Sequence, residues 1–144
     1  MMVTYIKFIG FSCEEVVINS GWINRAKKGA DLKYHYHTNA YVSGNYFVNF
    51  DTQKHSSLIF QNDRKKGSNY RQTIEIPRLS NKDTSYNIDA CSLPATEGQI
   101  LLWRSHLTHG YIYPNKSNDR CTLSFNSLPK VLSTGSYSFT ASEY

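Results

Sequence analysis

Tyr34-His35-Tyr36-His37-Thr38-Asn39-Ala40-Tyr41-Val42-Ser43-Gly44 sets two histidines one residue apart ahead of an apolar and aromatic run. In an extended strand successive side chains alternate between faces, so His35 and His37 are expected on one face. Two imidazoles so placed can hold one metal from two sides. The run that follows, Tyr46-Phe47-Val48-Asn49-Phe50, is aromatic and β-branched, and Ala40 to Phe50 is predicted as a strand. A third candidate ligand stands far downstream at His109.

Outward from this segment the chain is punctuated by short strands and turn residues. Upstream, Val3 to Ile9 and Glu15 to Ile18 are predicted strands, ended by Gly10 and by Asn19-Ser20-Gly21, and Trp22-Ile23-Asn24 can continue as strand or edge. Ile23 to Lys28 is the only short stretch with helical composition, and it lacks a long apolar stripe. Downstream, Asp51 to Ser56 is a polar turn, with His55 solvated in it, and Ser57 to Phe60 a short strand. Gln61 to Asn69 is loop-like, Arg71 to Ile76 a half-buried strand ended by Pro77, Leu79 to Ser85 a mobile polar stretch and Tyr86 to Leu93 a weaker strand. Gln99 to Trp103 is a core strand after the Ala95–Gly98 turn, and Gly110 to Tyr113 is short. Arg120 to Asn126 alternates cleanly, with Cys121, Leu123 and Phe125 on one face and Arg120, Thr122, Ser124 and Asn126 on the other. The tail from Leu132 carries one edge strand and a loose end. Many short strands with regular turns predict an all-β protein, a double-stranded β-helix or jelly-roll barrel with little helix, in one domain over 1–144.

Composition limits the partners. The chain has 144 residues, a formal charge of +5 and 11 tyrosines, whose strand propensity and polar tip suit a β protein with a wet interior. Arg64-Lys65-Lys66-Gly67 is the densest basic cluster, and with Tyr70 nearby it keeps single-stranded nucleic acid open as a partner. A solvated basic surface explains the same charge. Cys13, Cys91 and Cys121 are odd in number and widely spaced, which favours reduced thiols and a cytoplasmic life. No apolar run approaches a membrane span, and no secretory leader is visible. An exposed strand edge near Val3 to Ile9 would permit a homodimer.

Gly29 precedes His35-x-His37 by five intervening residues, and Gly98 precedes Arg104-Ser105-His106 by five, with two more residues between His106 and His109. These spacings resemble the two signature motifs of cupin-like double-stranded β-helix proteins, although the first motif's glutamate position falls near Tyr41 and Val42. Over roughly Trp22 to Asn126 the chain resembles a family of 2-oxoglutarate/Fe(II)-dependent oxygenases of bacteria and their phages. The matching elements are His35-Tyr36-His37, Ser43-Gly44-Asn45-Tyr46-Phe47, Asn62-Asp63-Arg64, Gly98-Gln99-Ile100-Leu101-Leu102-Trp103, His109, and Arg120-Cys121-Thr122-Leu123-Ser124-Phe125-Asn126. The acidic-Pro-Arg element is imperfect, since no proline separates Asp63 from Arg64.

The resemblance implies Fe(II) as cofactor and 2-oxoglutarate as small-molecule co-substrate, in the cytoplasm of a bacterial or phage-infected cell. Its reaction couples oxidative decarboxylation of 2-oxoglutarate to hydroxylation of a second substrate. Non-haem Fe(II) needs three ligands on one face, commonly two histidines and a carboxylate. Here the second position is His37, so the favoured set is His35, His37 and His109, with Asp63 or Asn39 as other donors. Arg120 is placed to grip the far carboxylate of 2-oxoglutarate, and Thr122, two residues on, faces the same way. His106 is a candidate pocket group, Trp22 and Trp103 are packing residues, and Tyr34, Tyr36 and Tyr46 fill the core or line the pocket. Two rivals stay open: a three-histidine dioxygenase without 2-oxoglutarate, and a non-catalytic jelly roll that binds or assembles. A free amino acid, a protein side chain and a nucleobase all remain eligible as primary substrate.

Overall fold

The computed structural model describes residues 1–62, 84, 88–133 and 138–140. The elements are α1 (Met2–Phe8), β1 (Val16–Ala26), β2 (Leu32–His35), β3 (Val42–Asn49), β4 (Ile59–Gln61), β5 (Ala90–Ser92), β6 (Ile100–Arg104), β7 (His109–Tyr111), β8 (Arg120–Pro129), β9 (Val131–Ser133) and β10 (Ser138–Thr140). One four-stranded sheet runs β1-β8-β3-β6 and a second runs β2-β7-β4-β5, every described pairing being antiparallel, with β9 and β10 paired on their own. The protein is all-β and jelly-roll-like, as expected.

The core joins the two sheets. Phe47 from β3, Trp103 from β6, Phe60 from β4 and Tyr111 from β7 pack with Phe50, Leu58 and Ala95. Apolar burial of this kind supplies most of the stabilisation. β8 inverts the usual pattern: Arg120, Thr122, Ser124 and Asn126 point inward and are buried, whereas Leu123 is 40% exposed on the outside. The inward row therefore builds a polar cavity wall rather than more core.

Two regions differ from expectation. Met2–Phe8 is a helix, not a strand. Its Val, Thr and Ile content favours strands, but Ile6 is buried with Val3 and Tyr5 against Val42 and Leu102, on the outer side of the first sheet. That contact overrides local preference. With the segment helical, the strand edge expected there for a dimer is absent. Asn19-Ser20-Gly21 does not end a strand; Trp22-Ile23-Asn24 continues it, as one reading of the sequence has it, and the helical composition of Ile23 to Lys28 forms no helix. β1 continues to Ala26 and absorbs the turn-forming residues as an irregularity between Ile18 and Ser20.

Two glycines allow close approach. A Cβ on Gly44 would lie 2.5 Å from Cζ of Phe125 and 2.8 Å from Cδ2 of Leu102. A Cβ on Gly110 would lie 2.5 Å from the Leu32 carbonyl oxygen, so β2 can press against β7 only over a bare backbone. The expected strand over Arg71 to Ile76, the mobile stretch Leu79 to Ser85 and the basic cluster Arg64 to Lys66 lie outside the described residues, apart from Thr84. Of the weaker strand expected over Tyr86 to Leu93, the described residues Ile88, Asp89 and Leu93 are not strand and Ala90–Ser92 is. Among the described residues no helix is long and apolar enough to cross a membrane.

Candidate metal centre

His35 and His109 face each other directly across β2 and β7. His37 lies beyond the end of β2, so strand alternation is not what orients it. Its backbone N–H donates to the Ser105 carbonyl at 2.9 Å, which holds the segment against the turn after β6. The ring centroids of His35 and His109 are 4.5 Å apart, and His37 is 5.2 Å from each. One ligand atom from each imidazole lies within 4.8 Å of the other two. The three rings thus converge from two elements and one loop on a single point.

Hydrogen bonds select the nitrogens. Nδ1–H of His35 donates to the Lys33 carbonyl at 2.9 Å, and Nδ1–H of His109 donates to the Leu107 carbonyl at 2.7 Å. A proton on Nδ1 leaves Nε2 with its lone pair free, the state a ligand needs. Burial holds His109 down to about 4, with the Leu107 carbonyl opposing and His35 and His37 adding to the depression. Burial, then His35, lowers His37. Both imidazoles are therefore neutral near pH 7.

The three rings open onto a cavity of about 90 Å³ that Arg120, Thr122, Ser124, Asn24, Asn45 and Tyr111 also line. At about 30 Å³ per water this is room for roughly three water molecules. Arg120 is 1% exposed; its Nε–H donates to the Ser56 carbonyl at 3.3 Å, and its guanidinium lies 4.5 Å from the Tyr111 ring centre. Among the described residues Nη2 of Arg120 and Oγ1 of Thr122 are buried without a hydrogen-bond partner. The buried indole N–H of Trp103, another cavity residue, has none either. Unpaired buried donors are costly, and three around one cavity suit an anion that accepts from them.

Other candidates fall elsewhere. Asn39 is exposed and does not line the cavity, and Asp63 lies outside the described residues. His106 is exposed, as is Tyr36, and neither Tyr34 nor Tyr46 lines the cavity. Trp103 is buried core, as expected, but Trp22 is 38% exposed at the cavity rim with its ring 6.1 Å from that of His37. His55 is the largest correction: it is 4% exposed, not solvated. Its Nδ1 accepts from the Asp51 N–H at 3.0 Å, and its Nε2–H donates to Asp119 at 3.0 Å. Asp119 stands 64 positions away in sequence, so no local signal announces the pair. The amide wall of Asn24 and Asn45 was also not singled out; its signal is Asn24 on the same strand face as Trp22.

A jelly roll that brings three imidazoles, two from facing strands and one from a loop, into one donor-lined cavity could hold a non-haem metal there. Residues 20–126 match the model of the family described as "Putative 2OG-Fe(II) oxygenase", and the chain belongs to that family. No curated protein matches the chain. The family implies Fe(II) and 2-oxoglutarate. The residues present fit both: three nitrogen donors suit Fe(II), and the unpaired donors of Arg120 and Thr122 suit a carboxylate.

Proposed function

We propose that the protein is an Fe(II)- and 2-oxoglutarate-dependent dioxygenase of the hydroxylase type. His35, His37 and His109 hold the metal, and Arg120 and Thr122 hold the far carboxylate of 2-oxoglutarate. The observation that carries this reading is one cavity lined both by the three imidazoles and by the unpaired, buried Nη2 of Arg120 and Oγ1 of Thr122. When bound, iron and 2-oxoglutarate would together activate dioxygen, the external oxidant, one of its oxygen atoms ending in succinate as carbon dioxide leaves and the other in the hydroxylated second substrate.

The chain's own residues bind and orient. Arg120 offers a planar fork that matches a carboxylate, and the Ser56 carbonyl on Nε together with the Tyr111 ring fixes that fork in place. Thr122 adds a hydroxyl on the same strand face. Leu58, Trp103 and Tyr111 wall the cavity with apolar surface and keep bulk water from it. Trp22 and Leu32, 38% and 37% exposed, flank the mouth through which a second substrate enters.

The test is an anaerobic titration of the metal-free protein with Fe(II), then 2-oxoglutarate, following the visible charge-transfer band of the chelate. The band is expected, and Arg120→Ala is expected to weaken 2-oxoglutarate binding at least tenfold with iron affinity unchanged. Unaltered 2-oxoglutarate affinity in that variant removes Arg120 from the site. A ligand set of three histidines with no carboxylate favours one second reading, a dioxygenase that binds its substrate to iron without 2-oxoglutarate. Iron uptake with no band selects it.

A further inference from the structure

His37 differs from the other two histidines in what holds its outer nitrogen. His35 and His109 each give Nδ1–H to a main-chain carbonyl two residues earlier. Nδ1 of His37 instead meets a side chain, Nδ2 of Asn126, at 3.4 Å. Asn126 is 3% exposed, and its Oδ1 accepts from the Ser43 hydroxyl at 2.7 Å. Ser43 is in turn 2.8 Å from the Ser105 hydroxyl, and both serines are 1% exposed. The result is a buried polar chain, Ser105–Ser43–Asn126–His37.

This chain has two self-consistent directions. Ser43 has one hydroxyl proton, so it donates either to Asn126 or to Ser105, not to both. With the amide nitrogen toward His37, Nδ1 is an acceptor, and the ring proton sits on Nε2, where it blocks a metal. With the amide turned over, Oδ1 accepts from Nδ1–H of His37, Nδ2–H donates to Ser43, and Ser43 donates to Ser105. Nε2 of His37 is then free, matching His35 and His109. The heavy atoms need not move, because an amide presents oxygen and nitrogen with the same shape.

We infer that Asn126 is the positioning residue that sets the tautomer of His37, and that metal loading selects the direction in which Oδ1 of Asn126 faces it. The inference rests on the three-histidine metal reading but not on 2-oxoglutarate. The other two ligands have their tautomer fixed by backbone; the third is set by one exchangeable side chain, so the site's affinity is tunable there. Partners of ligating histidines commonly matter 10–100-fold in metal affinity.

The experiment uses the full chain and zinc alone. In protein labelled with nitrogen-15 at histidine, zinc-loaded His37 is expected to show the Nδ1–H tautomer by two-bond nitrogen–proton spectra. Asn126→Leu is expected to weaken zinc binding on the order of 10–100-fold, whereas Asn126→Asp, which still accepts from Nδ1–H, keeps or tightens it. Zinc-loaded wild-type protein with His37 protonated on Nε2 overturns the inference even if a variant fails to fold. So does wild-type zinc affinity in folded Asn126→Leu, which leaves the metal reading intact. Wild-type protein that takes up no zinc overturns the metal reading and this inference with it.

Discussion

An imidazole binds a metal only when it is neutral, and the fold keeps His109 neutral by burying it against Trp103 and Phe60. The same burial has a cost in acid. The folded pKa of His109 is about 4, below the 6.5 expected of the unfolded chain. Between those values the unfolded state takes up the proton and the folded state does not, so stability is full above about pH 6.5 and is lost as pH falls toward 4. Thermal melts of the metal-free protein are expected to show a falling Tm from pH 7 to pH 4, and His109→Phe is expected to flatten that slope. An unchanged slope would mean that other groups set the acid limit. At this scale the sequence was informative about identity and silent about environment. His35, His37, His109, Arg120 and Thr122 stand out by motif, and all five line the cavity. The burial of His55 was hidden because its partner Asp119 is remote and the flanking residues are polar.

Among the elements, β8 and the turn before β4 jointly place the guanidinium. Several hydrogen bonds tie the turn over residues 51–56 to β8 and to the loop before it. His55 binds Asp119, the Ser56 N–H donates to Oδ1 of Asn115 at 3.2 Å, and the Ser56 carbonyl accepts from Arg120. Asn115 is 1% exposed and also donates to the Ser117 carbonyl at 2.7 Å, anchoring the 114–119 loop. Asp119 is held below the usual carboxylate range by the Ser117 hydroxyl and His55. His55→Ala is expected to cost on the order of 2 kcal/mol in stability, through the two hydrogen bonds it loses. It is also expected to weaken 2-oxoglutarate binding several-fold while zinc affinity stays at the wild-type value. Equal losses for both ligands would mean that the turn supports the whole cavity rather than Arg120. Strands were legible where alternation or a long apolar run was present, as in β3, β6 and β8. The first helix was not, because seven residues of strand-favouring composition become helical only through packing on Val42 and Leu102. Asn19-Ser20-Gly21 misled for the complementary reason: a long pairing with β8 outweighs a local turn preference.

For the whole molecule, the ligands come from β2, the loop after it and β7, and the cavity wall from the opposite sheet. A bound metal therefore favours the closed arrangement of both layers over the unfolded chain. Zinc at about 100 times its dissociation constant is expected to add roughly 2.7 kcal/mol of stability. Differential scanning calorimetry checks this, and a Tm indifferent to zinc would mean that the three imidazoles do not form a site in solution. The jelly roll itself was legible from strand number and turn spacing. Its sheet order was not, since pairing β1 with β8 joins residues about a hundred positions apart, such as Asn24 and Ser124.

β8 carries two messages on one strand. Its outward row, with Phe125 lying across Gly44, serves the architecture; its inward row, Arg120 to Asn126, faces the cavity. Because the rows alternate, selection can rewrite one and spare the other. Substitutions along the inward row would strip the cavity of Arg120, Thr122 and Asn126 while leaving the outward contact of Phe125 on Gly44 in place.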